Sequence, residues 1–337
     1  MTLKDVAVKA GVSVATVSRV INENGSVNSE MQKAVLKARD ELGYFQNSIA
    51  RSLKTNSTHT IGFVASDISN TYLMAAAREI ENVLNKYEYN LVVCSTEDNK
   101  DQELKHLKLL NGRNIDGLVL NGTGLNEQFV LEMNRRMPTI LVHRRLKSKE
   151  FVGDLVDSDN ERGAYLLTKH LIQLGHKKIF VIKGPDTHSN SMERFAGFRK
   201  AMEEIHINVN RNYPFVYSGN FFLESGYDSM EYLCSLPVRP TAILSFNSMM
   251  TLGALKCLKR KNINAPEDIS IASTNNIENI ELMAVRPTVI DYDPKQLGIR
   301  AGEALLERLS DNSIPSREFI FTAKIIHGNA VSFPNDI

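Results

Sequence analysis

Between residues 13 and 19 the sequence SVATVSR combines residue types suited to reading a nucleic acid. At helical spacing Val14, Ala15, Thr16 and Arg19 share an outward face, while Val17 and Val20 turn inward. Val14 and Ala15 could meet thymine methyls, and Arg19 could bond guanine O6 and N7 with its guanidinium fork. Ser13, Thr16 and Ser18 are short donors suited to phosphate oxygens. Thr2 and Asn22, polar residues at the two ends of this opening stretch, complete the candidate contacts. A plain helical cap with a solvated face would show the same pattern, so these residues alone leave both readings open. A second set is scattered through the chain: Asn70, Tyr72, His143, Arg144, Asp159, Lys183, Arg194, Phe221, Asn247 and Asn275. Each follows an apolar run or opens a helix, where α/β proteins bind small ligands.

The elements that must carry the first set are three short helices. Thr2 and Asp5 form a T-x-x-D capping box, and Gly11 is a natural left-handed stop. Ser13 caps a second helix from Val14 to about Asn22. Ser29 and Gln32 read as a second capping box, opening a third helix to about Leu42, with Val35, Leu36 and Leu42 closing the core. A helix-turn-helix of this kind leaves its second helix proud of the surface, a shape that fits the major groove. Residues 1–57 hold eight Lys or Arg against five Asp or Glu, whereas the whole chain has a net charge of only +1. Any polyanion-binding surface is therefore local.

The stretches LKDVAVKAGVSVATVSRVINENGSVN and GYFQNSIARSLKTNST resemble the DNA-binding end of the lactose-repressor (LacI/GalR) family of bacterial transcription regulators. In residues 47–58 the helical pattern lasts about two turns, too short to be stable alone in water. The resemblance implies a hinge helix that pairs with its twin in the minor groove. Leu53 then wedges into a base step, with Asn47, Ala50, Arg51 and Lys54 beside it. Gln46 stands where the family often has proline, and Asn47 can still cap the helix.

From residue 59 onward, apolar runs alternate with amphipathic ones. Strands are expected at 60–67, 89–96, 116–122, 138–144 and 155–159, then at 177–184, 213–219, 241–247 and 268–274. This is an α/β body with buried parallel strands in two halves around a cleft. SDISNTYL, NIDGLVL, VDSDNERGAYLLTKHLIQLGHKKI, RFAGFRKAMEE and RPTAILSFN resemble the periplasmic-binding-protein-like effector core of the same family.

The fold expected is thus an all-α helix-turn-helix headpiece (1–46), a hinge helix (47–58) and a type I core of two subdomains with parallel sheets (59–337). The subdomains span about 59–158 with 291–320, and 159–290 with 321–337. By resemblance TVIDYDPKQLGIRAGEALLERL returns to the first subdomain and KIIHGNAV ends in the second. Arg194 matches the family's effector-binding arginine and Phe221 an aromatic platform. Asn275 stands where aspartate is usual. Family acids are common in three places that here read His143-Arg144, Asn247-Ser248 and Asn275-Asn276, and Lys183 replaces a usual glycine. The cleft is accordingly expected to lean positive and to favour a sugar acid or sugar phosphate.

Other chemistry finds little support. There is no phosphate loop and no G-x-S-x-G elbow, and the histidines lack metal-ligand spacing. Asp154, Asp157 and Asp159 read as one strand end facing the cleft rather than an acid-base pair. Three separated cysteines and the lack of an apolar leader fit a cytoplasmic protein without a membrane span. The expectation is a regulator of carbohydrate genes, not an enzyme and without a cofactor. It would bind double-stranded, pseudo-palindromic operator DNA as a homodimer or a tetramer, under a small carbohydrate-type effector. A solute receptor or sugar-processing enzyme on the same α/β core is the alternative, and it leaves residues 1–57 unexplained.

Overall fold

The computed structural model describes residues 1–21, 27–44 and 57–335. Asn22 and the hinge candidates Asn47, Ala50, Arg51, Leu53 and Lys54 lie outside the described residues. The chain divides into two compact units, Met1–Thr58 and His59–Ile337.

The first unit contains α1 (Leu3–Ala10), α2 (Val14–Ile21) and α3 (Ser29–Leu42). Thr2 and Asp5 cap α1 reciprocally, and Gly11 ends it at φ 67°. Ser13 Oγ accepts from Thr16 N at 3.1 Å and starts α2. The start of α3 differs from expectation by one residue. Asn28 is the cap, its Oδ1 accepting from Glu30 N at 2.9 Å, and Ser29 is already helical. Val6, Val17 and Val35 are fully buried at the centre, with Ala7, Val20, Ala38 and Tyr44 around them. Each such valine contributes roughly 1.5–3 kcal/mol, which a unit this small needs.

The second unit has two six-stranded sheets. The first contains β1 (Thr60–Ala65), β2 (Asn90–Ser95), β3 (Gly117–Leu120), β4 (Thr139–Val142), β5 (Asp154–Ser158) and β11 (Arg317–Phe321), in the order β11-β5-β4-β3-β1-β2. The second contains β6 (Ile179–Lys183), β7 (Val216–Ser218), β8 (Ala242–Ser245), β9 (Ser270–Ser273), β10 (Thr288–Asp291) and β12 (Lys324–Ile326), in the order β12-β10-β9-β8-β6-β7. All pairings are parallel except β10 with β12, which is antiparallel. The parallel expectation therefore fails at that edge. There the chain arrives from β11 through two residues, without a crossover helix.

Helices α4 (Thr71–Asn85), α5 (Lys100–Gly112), α6 (Glu127–Asn134) and α11 (Pro294–Ser310) belong to the first sheet's half. Helices α7 (Asn160–Gln173), α8 (Ser189–Glu203), α9 (Leu223–Ser235) and α10 (Ser248–Arg260) belong to the second. The chain passes between sheets after β5, after β10 and after β11. Thr288–Asp291 is still a strand of the second sheet, so the return begins only beyond it. On returning, α11 packs on α4 at a spacing only glycine allows: a Cβ on Gly298 would lie 2.3 Å from the Ala76 carbonyl oxygen. Among the described residues no helix is long and apolar enough to cross a membrane.

One ion pair ties this half together. Arg308, on α11, is fully buried and donates to both Asp154 oxygens, at 2.9 and 2.7 Å. It also donates to the carbonyls of Ile314 and Pro315. Arg317 meets the same carboxylate from β11. Asp154 thus faces the α11 side. Asp154 and Asp157 are an odd number apart on one strand, so they point to opposite faces, which corrects the reading of one acidic strand end. Removing one partner of such a pair strands a buried charge. Arg308→Ala is expected to lower stability by about 3–5 kcal/mol in urea unfolding of the core, and a loss under about 1 kcal/mol would contradict this role.

Candidate functional site

In the helical unit, Val14, Ala15 and Arg19 are exposed along α2, with Thr16 and Ser18 half-buried beside them. Arg19 has no ion pair among the described residues. Ser13 and Thr16 hydroxyls bond each other at 2.9 Å. The hydroxyl of Thr2 is already engaged with Asp5, at 3.1 Å. It also starts α1. Arg19 is the side chain on this face with both reach and free donors.

In the second unit a small cavity of about 60 Å³, partly open to solvent, lies between the two sheets. Eight of the ten expected residues line it: Asn70, Tyr72, His143, Arg144, Arg194, Phe221, Asn247 and Asn275. Asp159 and Lys183 do not. Asp159 Oδ1 caps α7 by accepting from Arg162 N at 3.1 Å. The Lys183 ammonium turns to Asp186 and lies 5.2 Å from the Phe195 ring centre. Ser66, Leu73, Asn121, Asn190 and Ser248 also line the wall.

The positions of these side chains follow from local structure. Asn70 caps α4, its Oδ1 accepting from Tyr72 N at 3.1 Å. Asn247 caps α10 and donates through Nδ2 to the Phe221 carbonyl at 2.6 Å. That bond steadies Phe221, whose φ of 72° is unusual for a bulky residue. His143 is likewise left-handed, at φ 62°. Two such outliers at one cavity suit a functional role. The ring of Phe221 occupies space next to Gly184, where a Cβ would lie 2.1 Å from Cζ.

Two arginines reach the cavity, in different electrical states. Arg144 donates to Asp98 at 2.6 Å and to the Gly122 carbonyl at 3.0 Å. Arg194 has no carboxylate on it. It donates through Nε to Asn160 Oδ1 at 2.9 Å and through Nη1 to the Phe246 carbonyl, while Nη2 makes no hydrogen bond among the described residues. The amide of Asn160 in turn donates to Glu193 at 3.0 Å and to Asp157 at 3.2 Å. Burial drags the pKa of Arg194 down, with Tyr292 and Asp157 pulling the other way. Burial and the Asp157 charge raise that of Glu193. Around these charges stand buried polar atoms that make no hydrogen bond among the described residues: Asn121 Oδ1, Asn190 Oδ1 and both His143 nitrogens. His143 Nδ1 lies 3.5 Å from Asp157. The lean toward positive charge expected from sequence is thus weaker in the structure, since Arg144 is paired with Asp98 and Lys183 is turned away.

The Asp98 carboxylate carries a measurable signature. Burial alone would raise its pKa, but the Arg144 charge and the His188 contact outweigh this and hold it at about 2. The usual value is 3.8. A depressed carboxylate contributes stability above its unfolded pKa, lost as pH falls toward the folded one. The full contribution is about 2 kcal/mol, of which about 1 kcal/mol is lost between pH 5 and pH 3. Denaturant unfolding of Asp98→Asn and the parent at those two pH values should show a smaller pH-dependent loss in the variant. Equal losses would mean the pair does not hold the proton off.

Residues 2–47 match the family profile described as bacterial regulatory proteins, lacI family. Residues 58–328 match that of periplasmic binding proteins and the sugar binding domain of the LacI family. The chain is 35% identical over 333 residues to the HTH-type transcriptional repressor PurR of Aliivibrio salmonicida, covering 97% of this chain and 99% of that one. It is 32% identical to the PurR repressor of Vibrio campbellii, with 98% of each covered. Among solved structures, the lac repressor dimer bound to operator and the anti-inducer ONPF superposes with a TM-score of 0.81 at 23% identity, covering 98% of this chain and 99% of that one. A LacI family regulator from Enterococcus faecium with bound ribose gives 0.73 at 22% identity, covering 82% and 100%. Those two likenesses speak to the fold, whereas the profile matches and the full-length relatives establish descent: this chain belongs to the LacI family and is a DNA-binding transcriptional regulator.

Proposed function

We propose that the protein is a homodimeric repressor whose grip on a pseudo-palindromic operator is set by a small ring compound bound between the two sheets, carrying at most one negative charge. The observation that carries this is Arg194, a buried guanidinium at the cavity held only by an amide and a carbonyl. A single carboxylate there would gain charge-assisted hydrogen bonds, each worth about 1.5–3 kcal/mol. A second anionic group would have to compete with Asp98 for Arg144. Phe221 offers a flat apolar face, and the side-chain amides of Asn121, Asn190 and Asn275 offer donors and acceptors together. A sugar acid meets this description better than a sugar phosphate. The ribose-bound Enterococcus faecium regulator supports a sugar-sized occupant. A planar heterocycle is a second reading, favoured by the Phe221 face among amides.

The ligand class is tested by calorimetry with a neutral sugar, its carboxylic acid, its phosphate and a free nucleobase. The acid is expected to bind roughly ten- to a hundredfold tighter than the neutral sugar. Arg194→Ala should erase that difference while leaving DNA binding without ligand intact. Tighter binding of the neutral member would sink the anionic reading but not the regulator.

On the DNA side, Arg19→Ala should relax base choice at one half-site position and cost about 1–3 kcal/mol. Uniform weakening on every sequence in a binding-site selection would make Arg19 a phosphate contact instead. For the hinge, Leu53→Ala should reduce DNA bending and affinity together, because wedge and bend share one energy. Unchanged bending in a circular-permutation gel assay would make residues 47–58 a plain linker.

A further inference from the structure

Asp98 belongs to the first sheet's half, on the loop after β2, where its backbone N–H donates to the Ser66 carbonyl. His188 belongs to the other half, immediately before α8. Their side chains meet across the cleft, His188 Nε2 lying 2.8 Å from Asp98 Oδ2. Both are almost entirely buried. On its other side His188 Nδ1 is 2.8 Å from the Thr187 hydroxyl. The Nε2 contact with the carboxylate is a close charge-to-ring approach and not an aligned hydrogen bond, while Nδ1 shares a hydrogen bond with the Thr187 hydroxyl. The same carboxylate holds Arg144. The Arg144 guanidinium carbon lies 5.9 Å from the Phe221 ring centre, and His188 meets the edge or face of that ring at 5.9 Å between centroids.

A second bridge spans the cleft beside the first. Arg145 N donates to Ser189 Oγ at 2.9 Å, and Arg145 Nε donates to Glu193 at 3.2 Å. Arg145 Nη1 also reaches back to Glu318 on β11 at 2.5 Å. Adjacent residues Arg144 and Arg145 therefore anchor two cross-cleft links, both ending on the start of α8. None of these contacts requires a ligand atom.

We infer that Asp98, with His188, and Arg145, with Ser189 and Glu193, form a built-in latch that biases the two subdomains toward closure independently of the effector. A ligand then shifts an equilibrium the chain already tilts, and it acts by its different affinity for the latched and unlatched arrangements. The latch lies one layer outside the effector cavity, and the inference stands whichever compound occupies it.

Hydrogen exchange by mass spectrometry on the full chain, with no ligand added, tests this. The segments to watch are 70–73 and 274–277. They lie on opposite walls of the cavity and include neither Asp98, His188 nor a residue bonded to them. His188→Ala cuts the cross-cleft link while leaving Asp98 on Arg144, and it should speed exchange several-fold in both segments. Strands β3 and β8 should keep their protection. Arg145→Ala should do the same from the second bridge. Faster exchange confined to residues 96–99 and 185–191 would show only a local contact and overturn the latch. So would unchanged exchange in both variants.

Discussion

The cavity depends on one constraint, a guanidinium buried without a carboxylate directly upon it. Two fully or nearly buried arginines in this protein show the alternatives. Arg308 is gripped by both oxygens of Asp154 and by two carbonyls, so its donors are consumed and its role ends in holding α11 to β5. Arg194 is held by Asn160 and the end of β8, and one amino group stays uncommitted. The negative charge that makes its burial tolerable stands one residue away, on Asp157 and Glu193, and reaches it through the Asn160 amide. An amide can orient an arginine without neutralising it. The electrostatic demand is thereby left for a ligand to meet.

That arrangement also explains how the cavity can report on the rest of the molecule. Asn160 opens α7 directly after the first passage between sheets, and Glu193 lies on α8, where the Arg145 bridge also ends. Tyr292, at the second passage, donates to the Asp159 carbonyl at 2.9 Å. Whatever touches Arg194 therefore touches groups that sit on the connections between the subdomains. On the proposed function, a ligand there would act on how the halves close, and packed interfaces respond to such changes in discrete steps.

Much of the fold was legible in the sequence because it rests on local signals. The T-x-x-D box and Gly11 determine α1 from its own residues, and the apolar runs sit where β1 to β9 form. The one-residue shift at α3 arose because Asn28 and Ser29 are both good caps, and the pattern cannot say which carbonyl or hydroxyl reaches the free N–H. Seven of the eight cavity residues were found because they follow a strand or open a helix, positions that topology brings to the cleft, whereas Arg194, inside α8, was legible through the family resemblance. What escaped was pairing. Asp98 lies in the polar loop TEDNK with nothing to mark it, and its partners Arg144 and His188 are 46 and 90 positions away. Lys183 was misplaced for a simpler reason. It ends a strand, and the alternation of faces sends its ammonium to Asp186 and over Phe195 instead of into the cavity.

The acids missing from three family positions have a counterpart in the structure. His143 lies 3.5 Å from the buried Asp157, where an aspartate in its place would set two carboxylates side by side and force one to stay protonated. Asp98, Asp157 and Glu193 supply negative charge instead from behind the first row, bonded to Arg144, Asn160 and Arg145. The surface a ligand meets is consequently made of amides, an imidazole, aromatic faces and two arginines, of which Arg144 is already paired with Asp98. Such a wall does not repel anions as a ring of carboxylates would, nor does it attract them indiscriminately as free lysines would. On the proposed function, discrimination would fall on geometry: a ligand would be selected by whether its single acidic group lands on Arg194 while its ring lies against Phe221, because a misplaced one would leave buried amides unpaired at a cost of about 1–3 kcal/mol each.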